Sequence, residues 1–327
     1  MTGHASDLRN ALDALDLTDA VRSRHVVAGR VVEIVALGDG TPALTRAFDP
    51  LLADDGGPAD LVVYAVVTDA LPIVRPDNEG PVDRWLVRAQ DSISLLTEDQ
   101  IHYLGDDDVA VWWASGTMAD HPWEASRPFY ILFDWWFEKQ GLHLVHAGAV
   151  ASDRGAALIV GPGGSGKSTT CLVAIGTELG YLSDDYCLIE MGEDPVVSLI
   201  YATGKADQNS LDLLEPRGVQ GDEIRPDGKA TIFLNERWPQ ALCRSAEIKA
   251  VIVPEVTAAS SQAAYRRVSA MVALRALAPS SLLQLRGVEG TKFSDLASLA
   301  ASVPCYAMTV GSDLDSIPSA IEAILDS

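Results

Sequence analysis

Positive charge is what this sequence has least of. Against 46 Asp+Glu stand 24 Lys+Arg, a formal charge of -22 over 327 residues. Holding a phosphate backbone takes clustered Lys and Arg. No such cluster occurs, so nucleic acid is excluded as a partner. Anionic membrane surfaces are disfavoured for the same reason. Long apolar runs are also missing: none approaches the ~18 residues of a membrane span. The start, MTGHASDLRNALDALDL, has neither the basic beginning nor the apolar stretch of a secretory signal. Cysteine is sparse. Cys171, Cys187, Cys243 and Cys305 are dispersed with no CxxC pair, which predicts reduced thiols rather than disulfides or a zinc site. Together these absences predict a cytoplasmic protein. Lysine is scarcer still, six residues against eighteen Arg. A Lys inside a glycine-rich loop therefore stands out.

What is present is globular. Apolar residues make up 48% and charged residues 21%, enough to bury sizeable cores. The length suggests two domains. Residues 6–17 place Leu8, Leu12 and Leu15 on one helical face. Residues 31–38 and 60–68 are rich in strand formers, separated by the breaker ADDGGPAD. Residues 83–97 and 99–113 alternate as strands do, and the turn Gly105-Asp106-Asp107-Asp108 joins a hairpin. These features predict an N-terminal α+β domain over 1–120, with no chemical motif. Residues 126–140 read as a helix capped by Ser126. Six of the seven Trp fall between 85 and 136. They read as an interdomain core or, alternatively, as an aromatic ligand platform.

From residue 142 the texture changes. LHLVHAGAVAS and AALIVG are apolar runs joined at Asp153-Arg154-Gly155, a hairpin turn. GPGGSGKST, a helix-like stretch and YLSDDYCLIE follow. The order strand, glycine loop, helix, strand opens an α/β nucleotide-binding domain. Further strands are expected at 229–234, 248–253 and 304–310, and helices at 269–277 and 318–326.

Gly161-Pro162-Gly163-Gly164-Ser165-Gly166-Lys167-Ser168 fits G-x-x-x-x-G-K-[ST] after an apolar strand and before a helix, the context this motif requires. Glycines let the backbone curl so that several N–H groups face a phosphate. The helix adds its positive N-terminal end. Lys167 supplies a point charge for the β- and γ-phosphates, and Ser168 a hydroxyl for Mg²⁺. The ATP site is thus expected at Gly161, Gly163, Gly164, Ser165, Gly166, Lys167, Ser168 and Thr169. The alternative is a glycine turn with an incidental Lys. Asp184 and Asp185 follow one helix later, at the end of the next strand, where open α/β sheets place ligands. One carboxylate can hold Mg²⁺ while the other accepts a proton from an attacking hydroxyl. The alternative there is a plain strand-end turn.

The segment HLVHAGAVASDRGAALIVGPGGSGKSTTCLVAIGTELGYLSDDYCLIE, residues 143–190, resembles the catalytic core of the bacterial HPr kinase/phosphorylase family. A weaker likeness runs on through GKATIFL, IKAVIVPE, APSSLLQL and the C-terminal stretch. The resemblance implies an α/β fold: a P-loop kinase domain of HPr-kinase type over 121–327, preceded by the smaller α+β domain. It implies ATP and Mg²⁺ as cofactors. His146 matches the family's active-site His, Asp184 the residue that activates the acceptor hydroxyl, and Asp185 its acidic neighbour, here assigned with Ser168 to the metal. Read from its residues alone, His146 is first a core histidine on an apolar strand. His143 is expected to face elsewhere. The phosphorylase signature after the Asp-Asp strand is not recognisable, and the family's downstream metal-binding Glu has no counterpart. The expectation is a forward kinase moving the γ-phosphoryl of MgATP to a Ser or Thr hydroxyl of a protein or peptide. A small-molecule alcohol kinase and a non-catalytic nucleotide-binding switch are the alternatives, and homo-oligomerisation stays open. Lys205 and Lys229, and Arg237, Arg244, Arg266 and Arg267, are candidates to neutralise a transferring phosphate; sequence does not rank them.

Overall fold

Runs of alternating β-branched residues dominate the first third of the chain, and they build one sheet. In the computed structural model the protein divides into two units, residues 1–136 and 137–327. The structure describes residues 3–39, 41–53, 56–73, 85–257, 260–283 and 291–327. Parts of three expected features lie outside the described residues: Asp54 and Asp55 of the breaker, residues 83 and 84 of a strand, and Gln284 and Leu285 of APSSLLQL.

Helix α1 (Gly3–Asp13) leads into strands β1 (Val21–Val27), β2 (Arg30–Leu37), β3 (Leu61–Thr68), β4 (Trp85–Arg88), β5 (Ser92–Leu96), β6 (Gln100–Gly105) and β7 (Val109–Ser115). They form a mixed seven-stranded sheet in the order β1-β2-β3-β7-β6-β5-β4. Successive side chains of a strand point to opposite faces, and β7 shows it. Val111 and Trp113 pack with Leu8 and Leu12 of α1. Trp112 turns the other way, edge-on to Phe129. The tryptophans at 112 and 113 therefore belong to the first unit's own core and not to a ligand platform.

Helix α2 (Tyr130–Lys139) crosses the division between the units. The division falls later than the expected 120/121 boundary: Phe129 and Phe133 pack on Phe48, with ring centroids 6.4 and 5.7 Å apart, and join the start of α2 to the first unit. Ser126 is not its N-cap. The Ser126 hydroxyl donates to the Trp123 carbonyl, and the helix begins after Phe129, whose N–H donates to the buried Glu124 carboxyl.

The second unit opens with β8 (Leu142–Val145), β9 (Gly148–Ser152) and β10 (Gly155–Ile159), then α3 (Lys167–Leu172) and β11 (Gly180–Ser183). Strands β12 (Cys187–Glu190), β13 (Val196–Ser198) and β14 (Thr203–Ala206) precede α4 (Gln208–Leu214). There follow β15 (Glu223–Ile224), β16 (Ala230–Phe233), α5 (Leu234–Arg237), β17 (Ser245–Val256), β18 (Ala264–Val268), α6 (Ala270–Leu283), α7 (Lys292–Ser302), β19 (Cys305–Val310) and α8 (Ser316–Leu325). The main sheet runs β11-β9-β10-β17-β13-β12-β8, with β19 also on β17 and β18 on β19. A small sheet, β14-β16-β15, stands apart. The hairpin expected at Asp153-Arg154-Gly155 is there, pairing Gly155 with Ser152. Helix α3 is shorter than its sequence suggested. After Leu172 the chain tightens into i→i+3 turns, Ala174 N–H to Cys171 O and Thr177 N–H to Ala174 O, around a left-handed Gly176. Leu172, Ile159, Ile252, Met308, Ile317 and Ile321 share one core under α3 and α8. All four cysteines are free. Among the described residues no helix is long and apolar enough to cross a membrane.

Candidate functional site

Strand directions place the candidate residues at one edge of the sheet. Strand β10 is antiparallel to β9, and β9 to β11, so β10 and β11 run the same way. Strands β17 and β19 run parallel to them. The C-terminal ends of β11, β10, β17 and β19 therefore share an edge, the place where α/β sheets present ligands. Gly148, at the start of β9, pairs with Ile159 at the end of β10, so His146 lies at this edge too.

The loop leaving β10 turns on glycine. Gly164 and Gly166 have φ of +78 and +94, a left-handed backbone that side chains resist. A Cβ at Gly166 would stand 2.9 Å from Val256 Cγ2, so the loop needs glycine there to pass β17. Nothing lies within 4 Å of a Cβ built at Gly163 or Gly164, which leaves that backbone open. Lys167 folds back over the loop, its Nζ donating to the Gly161 and Pro162 carbonyls at 2.6 and 3.2 Å. Burial, and then repulsion from Lys205, push the Lys167 ammonium below its ordinary pKa. The buried Ser165 hydroxyl has no partner among the described residues. Thr169 turns to α4, its Oγ1 3.1 Å from Ser210 Oγ.

The two aspartates differ sharply. Asp184 is 1% exposed. It accepts from the Tyr181 hydroxyl at 2.9 Å, from the Lys205 backbone N–H at 3.1 Å and from Ser168. Burial raises its pKa, against the opposing charge of Lys205. Asp185 is more open, its side chain 17% exposed. It pairs with the Lys205 ammonium and with His146 Nε2, the latter at 2.8 Å. Desolvation holds His146 below the usual histidine pKa despite Asp185. The neutral imidazole therefore donates Nε2–H to Asp185, and its buried Nδ1 has no partner among the described residues. The expected metal pair was Ser168 with Asp185. Ser168 bonds Asp184, while Asp185 is engaged by Lys205 and His146. Among the described residues no group of three or more His, Cys, Asp or Glu could hold a metal ion. One carboxylate and a hydroxyl, completed by phosphate and water, is nevertheless a set Mg²⁺ accepts.

A cavity of about 440 Å³ opens beside the loop. Lys167, Lys205 and Lys229 all line it, together with His146. Half of the chain's six lysines thus converge on one hollow. Lys205, one of six unranked basic candidates, belongs to the site, as does Tyr181, which no motif includes. Lysine scarcity was the only signal for Lys205, and Tyr181 had none. The remaining basic candidates lie elsewhere. Arg237 bonds Asp222 and the Gln220 carbonyl, Arg266 pairs with Glu255, Arg267 stacks over Tyr306, and none of these, nor Arg244, lines the cavity. His143 faces away from the site, its Nε2 2.8 Å from Asp295 on α7.

No protein-family model matches the chain, and no curated protein is detectably similar to it. Among solved structures, one match is the Hpr(Ser) kinase/phosphatase from Coxiella burnetii, at 14% identity and a TM-score of 0.30. The match covers 56% of this chain and 94% of that one. At that TM-score the likeness carries no argument, and the chemistry rests on the geometry above.

Proposed function

We propose that the protein is an ATP-dependent kinase of the HPr-kinase-like type, transferring a phosphoryl group to a Ser or Thr hydroxyl of a protein or peptide. One observation carries this reading. In a chain of charge -22, an open glycine loop, three of six lysines and two unlike aspartates meet at one sheet edge. A solvated surface or a structural turn has no use for that convergence; a polyphosphate does. Bound MgATP would supply the phosphoryl group and the metal. The amides of residues 161–168 and Lys167 bind the phosphates, and the unpartnered Ser165 hydroxyl has a donor to offer there. Ser168 and Asp184 hold Mg²⁺. Asp185, oriented by His146 and paired with Lys205, takes the proton of the acceptor hydroxyl. Lys205 also offers its charge to the moving phosphoryl group. The two aspartates thus exchange the roles that the family resemblance gave them. Asp184 is enclosed by three donors and cannot reach an acceptor, whereas Asp185 is open to one.

The test is a mass-shift assay with MgATP against Ser/Thr peptides and, separately, small alcohols. Phosphopeptides are expected, with neutral or basic segments preferred, since a -22 protein repels acidic ones. Excess inorganic phosphate added afterwards should not reverse the reaction. Labelling of free metabolites alone would replace the acceptor class. ATP binding without transfer to either panel would make the protein a nucleotide-dependent switch.

A further inference from the structure

The strand order gives the cavity a direction. Strands lie about 4.8 Å apart in a sheet. The Asp184–Asp185 strand, β11, stands two places from β10 on one side, and β19 two places from it on the other. The loop sits between, so the reacting carboxylates and the β17–β19 end of the cavity are on opposite flanks. If the loop holds a triphosphate, its transferring end faces the aspartates and its nucleoside end faces β17 and β19. Val256, Val310 and Leu314 make that flank apolar, and Leu213 of α4 lines the same cavity from the side of α3 and β14. Val256 and Leu213 line the cavity while remaining 63% and 51% exposed, so their aliphatic surface is open to a ligand there. Val310 and Leu314 lie beside them. Gly311 and Ser312 add main-chain polar groups, and Gly311 is fixed as glycine because a Cβ there would stand 2.3 Å from the Ser260 carbonyl oxygen.

We infer that Leu213, Val256, Val310 and Leu314, which line one cavity, form the subsite for the nucleobase of a nucleoside triphosphate. The acceptor does not compete for this place, since it must reach Asp185 across the loop. The inference rests on the reading of residues 161–168 as the phosphate site, and the test keeps the two apart. The probes are MgATP and magnesium tripolyphosphate, titrated calorimetrically into wild type, Leu213→Ala, Val256→Ala and Lys167→Ala. Both apolar side chains are exposed, so their truncation leaves the core intact. Each apolar variant should weaken ATP about tenfold while changing tripolyphosphate by less than about twofold. Lys167→Ala should weaken both ligands. Unchanged ATP affinity in both apolar variants, or parallel loss of both ligands, overturns the base subsite and leaves the phosphate site standing. A wild type that binds neither ligand overturns both.

Discussion

Replacing each aspartate by asparagine separates the two roles, and the structure sets different magnitudes for them. In Asp185→Asn the amide oxygen can still accept from Lys205 and His146, but the charge is gone. Side chains 17, 16 and 8% exposed make this a largely desolvated cluster. Removing one partner of a fully buried pair costs about 3–5 kcal/mol. Retained hydrogen bonds and partial solvation bring that to about 1–3 kcal/mol, a Tm drop of a few degrees in a chain this size. The kinetic loss is larger. A general base contributes about 10²–10⁴-fold, or about 3–5 kcal/mol. So kcat should collapse in a protein that still folds and still binds MgATP.

Asp184→Asn should behave in the opposite manner. Its amide oxygen must face the Lys205 N–H, which cannot turn, leaving the amide nitrogen toward the Tyr181 hydroxyl, which can. Burial raises the Asp184 pKa in the fold. A raised folded pKa gives stability that is whole below the unfolded value, near 3.8, and is lost as pH rises through the folded one. Above the unfolded value, a carboxyl held at a raised pKa therefore costs stability that asparagine does not. The variant should hold or gain Tm at pH 7, lose that advantage below about pH 3.8, and need more Mg²⁺ for turnover. Steady-state kinetics across a Mg²⁺ titration, with calorimetry at both pH values, reads all of this. A normal Mg²⁺ requirement in Asp184→Asn together with a raised one in Asp185→Asn would refute the assignment.

Lys167→Ala should lower kcat/KM by about 10²-fold or more with the fold unchanged in circular dichroism, since its ammonium contacts only two loop carbonyls; wild-type turnover would remove the loop from the chemistry. Lys205→Met should cost a similar factor in kcat with a smaller change in ATP affinity, and Lys205→Arg should restore part of it; equal losses in both parameters would make Lys205 a binding residue only. In the first unit, burial pushes the Glu124 carboxyl up to about 7 from 4.5. Its stabilising proton is fully present below pH 4.5 and lost as pH rises through about 7, so Glu124→Gln should be more stable than wild type by about 3 kcal/mol at pH 8 and equal to it at pH 4, as thermal melts would show; a difference that does not grow with pH would count against a buried neutral carboxyl.

Local patterns were readable where one interaction decides the outcome. The hairpin at Asp153-Arg154-Gly155, the strands over 31–38 and 60–68 and the apolar face of α8 all follow from periodicity and turn chemistry, and the structure has each of them. The glycine loop was readable because its residues are needed by the backbone itself, at Gly164 and Gly166. Ser126 as a helix cap was not, because Glu124, two residues earlier, captures the Phe129 N–H from a buried position. The packing of Phe129, stacked, and Phe133, edge-on, against Phe48 was not readable for a related reason: it is a contact across eighty residues.

The roles of the two aspartates show where sequence stops. Asp184 and Asp185 are the same residue at adjacent positions, and any motif treats them as a pair. A strand end sends neighbouring side chains to opposite sides. That puts one carboxylate under Tyr181 and Ser168, and the other beside His146 and Lys205. Lys205 contributes to both environments at once: its backbone N–H goes to Asp184 and its ammonium to Asp185. It comes from β14, twenty residues away and outside every motif. The surroundings of each carboxylate are therefore set by a strand that carries no signature. Only the scarcity of lysine in an acidic chain hinted at it. A single residue, placed so that it fixes one aspartate by its main chain and the other by its charge, is what makes two identical side chains chemically unlike.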